Sequence, residues 1–200
     1  MRLVIDSATA ACSVALLSDQ GDVLAERHEI VGRGHAERLV PMIADLLDGA
    51  SPASILVDCG PGSFTGVRVG LAAAQGLAIG WGVGVTGYSS LAVLAAAARA
   101  QRVAVAIEGG HGELFVQSYG GDPVAPLDEV RSLNPSAAAE LVADALVIGS
   151  GAEALVAARG HGRAVAALPR AADAGLLPPS LRSLPPRPIY GRAPDARASK

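Results

Sequence analysis

Apolar positions fall in short runs through the first hundred residues, and their spacing changes from run to run. Leu3-Val4-Ile5 is unbroken and ends in the small polar stretch Asp6-Ser7-Ala8-Thr9. Residues 12–17 and 23–28 are two further strand-like runs, separated by the turn chemistry of Ser18-Asp19-Gln20-Gly21-Asp22, so a β-meander is predicted. The period then lengthens. Leu39, Val40, Ile43, Leu46 and Leu47 recur at helical spacing, with Met42 beside them and Gly49 as a stop. Pro41 predicts that this helix starts late or bends. Ile55-Leu56-Val57 is apolar at every position, as a central strand with both faces covered should be. A helix of small residues follows to about Ile79, then a strand over 83–86. A last helix runs to Arg99, capped by Ser89 or Ser90. The order β-β-β-α-β-α-β-α predicts an α/β fold with a mixed sheet.

Residues 101–200 carry a weaker pattern. Strands are predicted over 103–107 and 113–119, paired around Gly109-Gly110-His111-Gly112. A helix over 136–143 is opened by Pro135, a strand follows at 146–148, and a helix covers 152–158. The remainder, rich in Ala, Pro and Arg, shows no long periodic element. A lobe boundary near Ala100 divides the chain into 1–100 and 101–200.

Half of the residues are apolar and 18% are charged, the composition of a globular protein. Aromatic residues make up 3%, so Ala, Val and Leu must build the core. The net charge of −3, with no basic block before the C-terminus, argues against a chain that grips nucleic acid alone. The two cysteines, Cys12 and Cys59, form no CxxC pair and suit a reducing cytoplasm. Asp6 interrupts the first apolar run too early for a signal peptide. Residues 69–98 carry no charge, but glycines at 76, 80, 82, 84 and 87 favour two buried helices with a strand between them over a membrane span.

Candidate chemistry is sparse. Gly60-Pro61-Gly62-Ser63-Phe64-Thr65-Gly66-Val67-Arg68 lies between a predicted strand and helix, where backbone N–H groups can receive an anion. It lacks the Gly-Lys-Ser/Thr of a Walker A loop, and its third glycine is one position late for a dinucleotide fingerprint. An anion-binding loop and a plain tight turn both remain open. Asp6-Ser7-Ala8-Thr9 resembles the first phosphate loop of actin-like ATPases, with Ala8 where a glycine is usual and its methyl in the way of phosphate. The alternative is a polar strand end. His28, His35, His111 and His161 show no metal-ligand spacing, so no metal site is expected. Ser63 and Thr65 have no base nearby in sequence, and Gly87-Tyr88-Ser89-Ser90-Leu91 lacks the closing glycine of a nucleophile elbow. Arg182, Arg187, Arg192, Arg197 and Lys200 form a C-terminal segment that is either solvated or placed to touch RNA phosphates.

Several segments together resemble the TsaB (YeaZ) family: Asp6-Ser7-Ala8-Thr9 with Cys12-Ser13-Val14-Ala15-Leu16; His35; the Gly60–Gly70 stretch with its GPGSFTGVR string; Gln75-Gly76-Leu77-Ala78; Val85–Leu91; and Pro188-Ile189-Tyr190-Gly191-Arg192-Ala193-Pro194-Asp195-Ala196. The match is close over residues 1–98 and loose beyond. The resemblance implies an actin-like (ASKHA, ribonuclease H-like) fold with a five-stranded mixed sheet in the first lobe and a reduced second lobe. It implies a cytoplasmic, non-catalytic member with no catalytic residue, cofactor or metal of its own. Such a protein pairs with the TsaD transferase through helices of the first lobe and works with the ATPase TsaE. ATP and metal belong to those partners, and tRNA is reached through the complex that makes threonylcarbamoyladenosine. Self-pairing to a homodimer is expected when TsaD is absent. Three departures stand out: Glu108-Gly109-Gly110-His111-Gly112-Glu113-Leu114-Phe115 replaces the family's usual second-lobe stretch, Tyr190-Gly191-Arg192 replaces Tyr-Leu-Arg, and the link between the first helix and the strand at Ile55 is short.

The expected docking face takes Val67, Gly70, Ala73, Ala74 and Leu77 from the second helix, where small side chains let a partner helix approach. His35, Leu39, Met42, Ile43 and Leu46 add larger groups from the first. The same residues could instead face their own sheet. Two rival functions stay open, a glycoprotease-like hydrolase and an autonomous actin-fold ATPase or kinase.

Overall fold

Alternation along the central strands sorts the core into layers in the computed structural model, which describes residues 1–191. β1 (Arg2–Asp6) sends Leu3 and Ile5 to one side and Val4 to the other, and β4 (Ser54–Asp58) does the same with Ile55, Val57 and Leu56. Both faces are covered, which is why these strands read as unbroken apolar runs. They are joined by β2 (Ala11–Leu17), β3 (Val23–Ile30) and β5 (Gly84–Tyr88). The five strands run in the order β3-β2-β1-β4-β5. β1, β2 and β3 pair antiparallel, while β1, β4 and β5 pair parallel. This is the mixed sheet expected of an actin-like lobe.

Helices α1 (His35–Leu47) and α2 (Phe64–Trp81) cover one face of this sheet through Leu39, Met42, Ile43, Leu46, Val67, Leu71 and Ala74. Pro41 sits on the exposed side of α1, which runs through it from His35 rather than starting late. The other face receives α3 (Ser90–Ala98), buried from Ser90 to Ala96 and apolar on every side. Ser89 caps it, accepting the Leu91 N–H at 3.2 Å.

Beyond α3 lies a second sheet, so that this helix, with the 3-10 segment Ala171–Leu176 packed beside it, fills the middle layer of the molecule. β6 (Arg102–Glu108) turns Val103, Val105 and Ile107 toward α3 and Ala104 and Ala106 away from it. β7 (Leu114–Gly120), β8 (Ala125–Pro126), β9 (Arg131–Leu133), β10 (Leu146–Ile148) and β11 (Arg163–Val165) complete the sheet. The order is β11-β10-β6-β7-β8, with β9 also on β7. α4 (Pro135–Leu141) and α5 (Ala152–Arg159) close its outer face around Ala138, Val142 and Leu155. β8, β9 and β11 are two or three residues long, too short for any period to show in the sequence. No helix among the described residues is long and apolar enough to cross a membrane. Arg192, Arg197, Lys200 and the motif positions 192–196 lie outside the described residues.

Candidate functional site

Three neighbouring strands end in a cluster of polar groups. Parallel register sets Ile5 beside Val57 and Asp58 beside Tyr88, which brings Asp6, Asp58 and Tyr88 together. All three are buried. The Tyr88 hydroxyl donates to Asp6 Oδ2 at 2.8 Å. Asp58 accepts the Ser90 hydroxyl at 2.6 and 2.8 Å and the Gly60 N–H at 2.8 Å. Asp6 Oδ1 has no amide or hydroxyl donor. The Asp58 carboxyl lies close enough to bear on that of Asp6. Burial pushes Asp6 up to about 6, against the lowering effect of its contacts with Tyr88 and Asp58. Burial, and then the charge of Asp6, push Asp58 well above the usual carboxylate range. Asp58 therefore keeps its proton beside Asp6, because two unpaired charges there would cost several kcal/mol.

The loop 60–66 closes over this cluster and over residues 6–9. The Ser63 N–H donates to the Ala8 carbonyl at 2.6 Å, and the Ser7 hydroxyl donates to the Gly66 carbonyl at 2.9 Å. A β-carbon at Gly62 would overlap the Ala8 carbonyl oxygen, and one at Gly66 would overlap that of Ser7. These two glycines thus serve backbone-to-backbone packing, one of the two readings left open by the sequence. Ser63 also caps α2, accepting the Gly66 N–H at 3.3 Å. Asp6, Ser7, Ala8 and Thr9 are all buried, Ala8 within the apolar cluster that holds Ile5, Cys12 and Val67. The chain's own loop, rather than the Ala8 methyl, bars the approach to this segment.

The C-terminal segment straps the same loop from outside. Gly87 and Leu184 exchange two backbone hydrogen bonds, of 2.7 and 3.0 Å, and the Ile189 N–H donates to the Cys59 carbonyl at 2.8 Å. Tyr190 then accepts a hydrogen bond from Arg68 Nη2 at 3.0 Å, and the Arg68 guanidinium lies 3.3 Å over the Phe64 ring. Phe64, Arg68 and Tyr190 are exposed. Cys12 and Cys59 are buried free thiols; burial pushes them up to about 11 and about 12.

The residues expected to face a partner divide unevenly. His35, Leu39, Met42, Ile43, Leu46, Val67, Gly70 and Ala74 are buried against their own sheet, and Ala73 and Leu77 are half-buried. A β-carbon at Gly70 would meet Ser7 Oγ at 2.6 Å and sit in ordinary contact with Ile5 and Val57. Close approach here is to the chain's own strands. His35 Nε2 lies 3.2 Å from the Ala11 carbonyl, joining α1 to β2. The outward positions on the same helices are Ala36, Val40 and Ala44 on α1, and Phe64, Arg68, Ala72, Gly76 and Ile79 on α2. Ile79 is 84% exposed. Charged Glu37, Asp45 and Asp48 flank the α1 stripe, a pattern that marks the solvent side in the sequence itself. His111 and His161 are exposed in turns. Among the described residues, no group of three or more His, Cys, Asp or Glu stands where it could hold a metal ion.

Comparisons with known proteins converge on one family. The family model described as TsaD, tRNA N6-adenosine threonylcarbamoyltransferase, matches residues 23–168. The tRNA threonylcarbamoyladenosine biosynthesis protein TsaB of Escherichia coli K12 is 41% identical over 129 residues, 60% of this chain and 55% of that protein. The TsaB protein of Haemophilus influenzae is 40% identical over 122 residues, 56% of this chain and 51% of that protein. The chain thus spans about half the length of these curated relatives. Among solved structures, YeaZ from Pseudomonas aeruginosa superposes with a TM-score of 0.76 at 33% identity, covering 94% of this chain and 98% of that one. A Pseudomonas aeruginosa protein described as similar to peptidase YEAZ reaches 0.79 at 34% identity, over 96% and 99%. With the GPGSFTGVR loop in place between β4 and α2 and these structures matched over almost the whole chain, this protein belongs to the TsaB/YeaZ family.

Proposed function

We propose that this protein takes part in the biosynthesis of threonylcarbamoyladenosine in tRNA as a non-catalytic subunit that docks on a TsaD-type transferase. The sealing of residues 6–9 by the chain's own 60–66 loop carries this reading. In an actin-like ATPase that segment receives nucleotide phosphate; here its carbonyls bond to Ser63 and pack on Gly62 and Gly66, and Asp6 is committed to Tyr88 and Asp58. ATP and its metal do not fit that arrangement, and chemistry requiring them falls to the transferase and to a TsaE-type ATPase. A role on tRNA puts the protein in the cytoplasm.

Docking uses the outward stripe Ala36, Val40 and Ala44 of α1 together with Ala72, Gly76 and Ile79 of α2. Small side chains beside an exposed Ile79 leave room for helices to pack at short interaxial distance. The transferase family's own model matches most of this chain, so its members carry equivalent elements for a pseudo-symmetric pairing. A second copy of this chain can occupy the face when the transferase is absent.

Ala72→Arg tests the docking. Ala72 is exposed, so the variant keeps the wild-type melting temperature, whereas the buried Ala74 would not tolerate an arginine. An unpaired charge buried at the interface weakens affinity for the cognate transferase by about tenfold or more. Complementation of a TsaB-depleted strain, read as threonylcarbamoyladenosine by mass spectrometry, is restored by the wild type and not by this variant. Wild-type affinity in Ala72→Arg removes the docking face. Calorimetry of the purified chain with Mg-ATP decides against the autonomous ATPase if it shows no heat; micromolar binding with turnover overturns the non-catalytic reading.

A further inference from the structure

We infer that Tyr190, delivered by the C-terminal strap, and Phe64 hold Arg68 as the single cation of the docking face, presented to a carboxylate of the partner protein. This rests on the docking reading above and adds the polar contact that orients it. Arg68 is the only charged residue of α2. Among the described residues, the ion pairs are Met1 with Asp19, Arg38 with Glu29, Arg102 with Asp144 and Arg170 with Glu26, and Arg68 joins none of them. Its neighbours are instead the Phe64 ring and the Tyr190 hydroxyl.

The placement is fixed from both ends. Ser63 caps the first turn of α2 below Phe64. The Ile189 N–H on the Cys59 carbonyl fixes the residue before Tyr190. The residue after it, Gly191, packs so closely on the Phe115 ring of β7 and on Val130 that a β-carbon would meet Phe115 Cδ1 at 2.7 Å. Tyr190 is therefore a positioning residue held between the two sheets. Phe64, Arg68 and Ala72 follow one another at four-residue intervals, so the stack continues the apolar stripe of α2.

A cation at that point dictates what covers it. When a partner removes water from the face, a guanidinium left without a counter-ion carries an uncompensated desolvation cost; a carboxylate from the partner removes it with a charge-assisted, two-pronged hydrogen bond. An RNA phosphate is the less favoured occupant. Nucleic-acid binding is built from many phosphate contacts, and here the chain has a net charge of −3 and a stripe otherwise without cations.

The test is affinity for the purified cognate transferase, by calorimetry at low and high salt, for the wild type, Arg68→Glu, Arg68→Gln, Tyr190→Phe and Ala72→Arg. Arg68→Glu is expected to weaken binding about tenfold or more, and Tyr190→Phe about threefold through loss of one hydrogen bond. Salt weakens wild-type binding and leaves Arg68→Gln nearly unchanged. All four variants are expected to melt with the wild type. Loss of binding in Ala72→Arg with wild-type affinity in Arg68→Glu and Tyr190→Phe overturns this inference and leaves docking standing; wild-type affinity in all of them overturns both. Unchanged transferase affinity with weaker tRNA retention by the Arg68→Glu complex assigns the cation to RNA and also overturns it. A melting temperature that falls with affinity, with no change in salt dependence, reduces the stack to a fastener of the strap.

Discussion

Gly66→Ala is expected to lose on the order of 3–5 kcal/mol of stability, the overpacking cost together with a lost buried hydrogen bond. The new methyl would overlap the Ser7 carbonyl oxygen, which is main chain and cannot rotate away. Relief requires α2 to slide off residues 6–9, and that breaks the bond from the Ser7 hydroxyl to the Gly66 carbonyl. The same shift pulls Ser63 from the Ala8 carbonyl and Gly60 from Asp58. For a chain of this size the melting temperature should drop by about 10 °C. Gly76→Ala is the matched control on the same helix. A β-carbon there meets nothing within 4 Å, so Ala should stabilise α2 by about 0.5–1 kcal/mol through its helix propensity. Urea midpoints of the two variants and the wild type check this. Equal midpoints for Gly66→Ala and the wild type would mean that the loop does not rest on residues 6–9.

The same contact shows where the sequence stopped being informative. The succession of strands and the three helices of the first hundred residues follow from periods and turn residues that each act over a few positions, as does a serine cap at 89 or 90. The docking residues did not, because Gly70, Ala74 and Val67 are equally suited to a partner helix and to the chain's own sheet. Only the rotation of α2 about its axis separates the two, and Gly70 against Ser7, Ile5 and Val57 settles it inward. A helix with one charged residue gives little sense of its own orientation; α1, flanked by Glu37, Asp45 and Asp48, shows its exposed stripe far more clearly. The Asp6–Asp58–Tyr88 cluster was hidden for another reason. Its members lie 52 and 30 positions apart in sequence and meet only because β1, β4 and β5 are neighbours in parallel register. An acid at the end of each of two apolar strands was the visible trace. Tyr190 was legible as part of a family ending, and its contact with Arg68 spans 122 positions.

Stability should fall as pH rises from about 5 to about 8, by roughly 1.5 kcal/mol, the part still present at pH 5 of the free energy of holding a carboxyl at about 6 rather than 3.8. The sign follows from the direction of the shift. Folding raises Asp6, so the protonated form is favoured in the native state. Its stabilising contribution is full below 3.8 and is lost as pH rises through about 6. Asp58, pushed higher still by burial and by Asp6, extends the loss toward alkaline pH. The other groups around the pair do not offset it. Burial keeps Tyr88, Cys12 and Cys59 neutral across this window, and Asp173 opposes ionisation of Asp6 from the far side. On the acid side the exposed Asp19 and Glu29, held low by the N-terminal ammonium and by Arg38, act the other way, so stability also declines as they protonate. Asp58→Asn supplies a neutral donor that never ionises. It should keep the fold, flatten the slope above about pH 6 and exceed the wild type in stability at about pH 8. Asp58→Ala instead leaves the Gly60 N–H and the Ser90 hydroxyl without their acceptor, a loss of about 2–4 kcal/mol at any pH, while Asp6 keeps the Tyr88 hydroxyl. Denaturant titrations at each pH measure all of this. A wild type that grows more stable between pH 5 and 8, or an Asn variant whose curve runs parallel to it, would show that the two carboxyls do not share a proton.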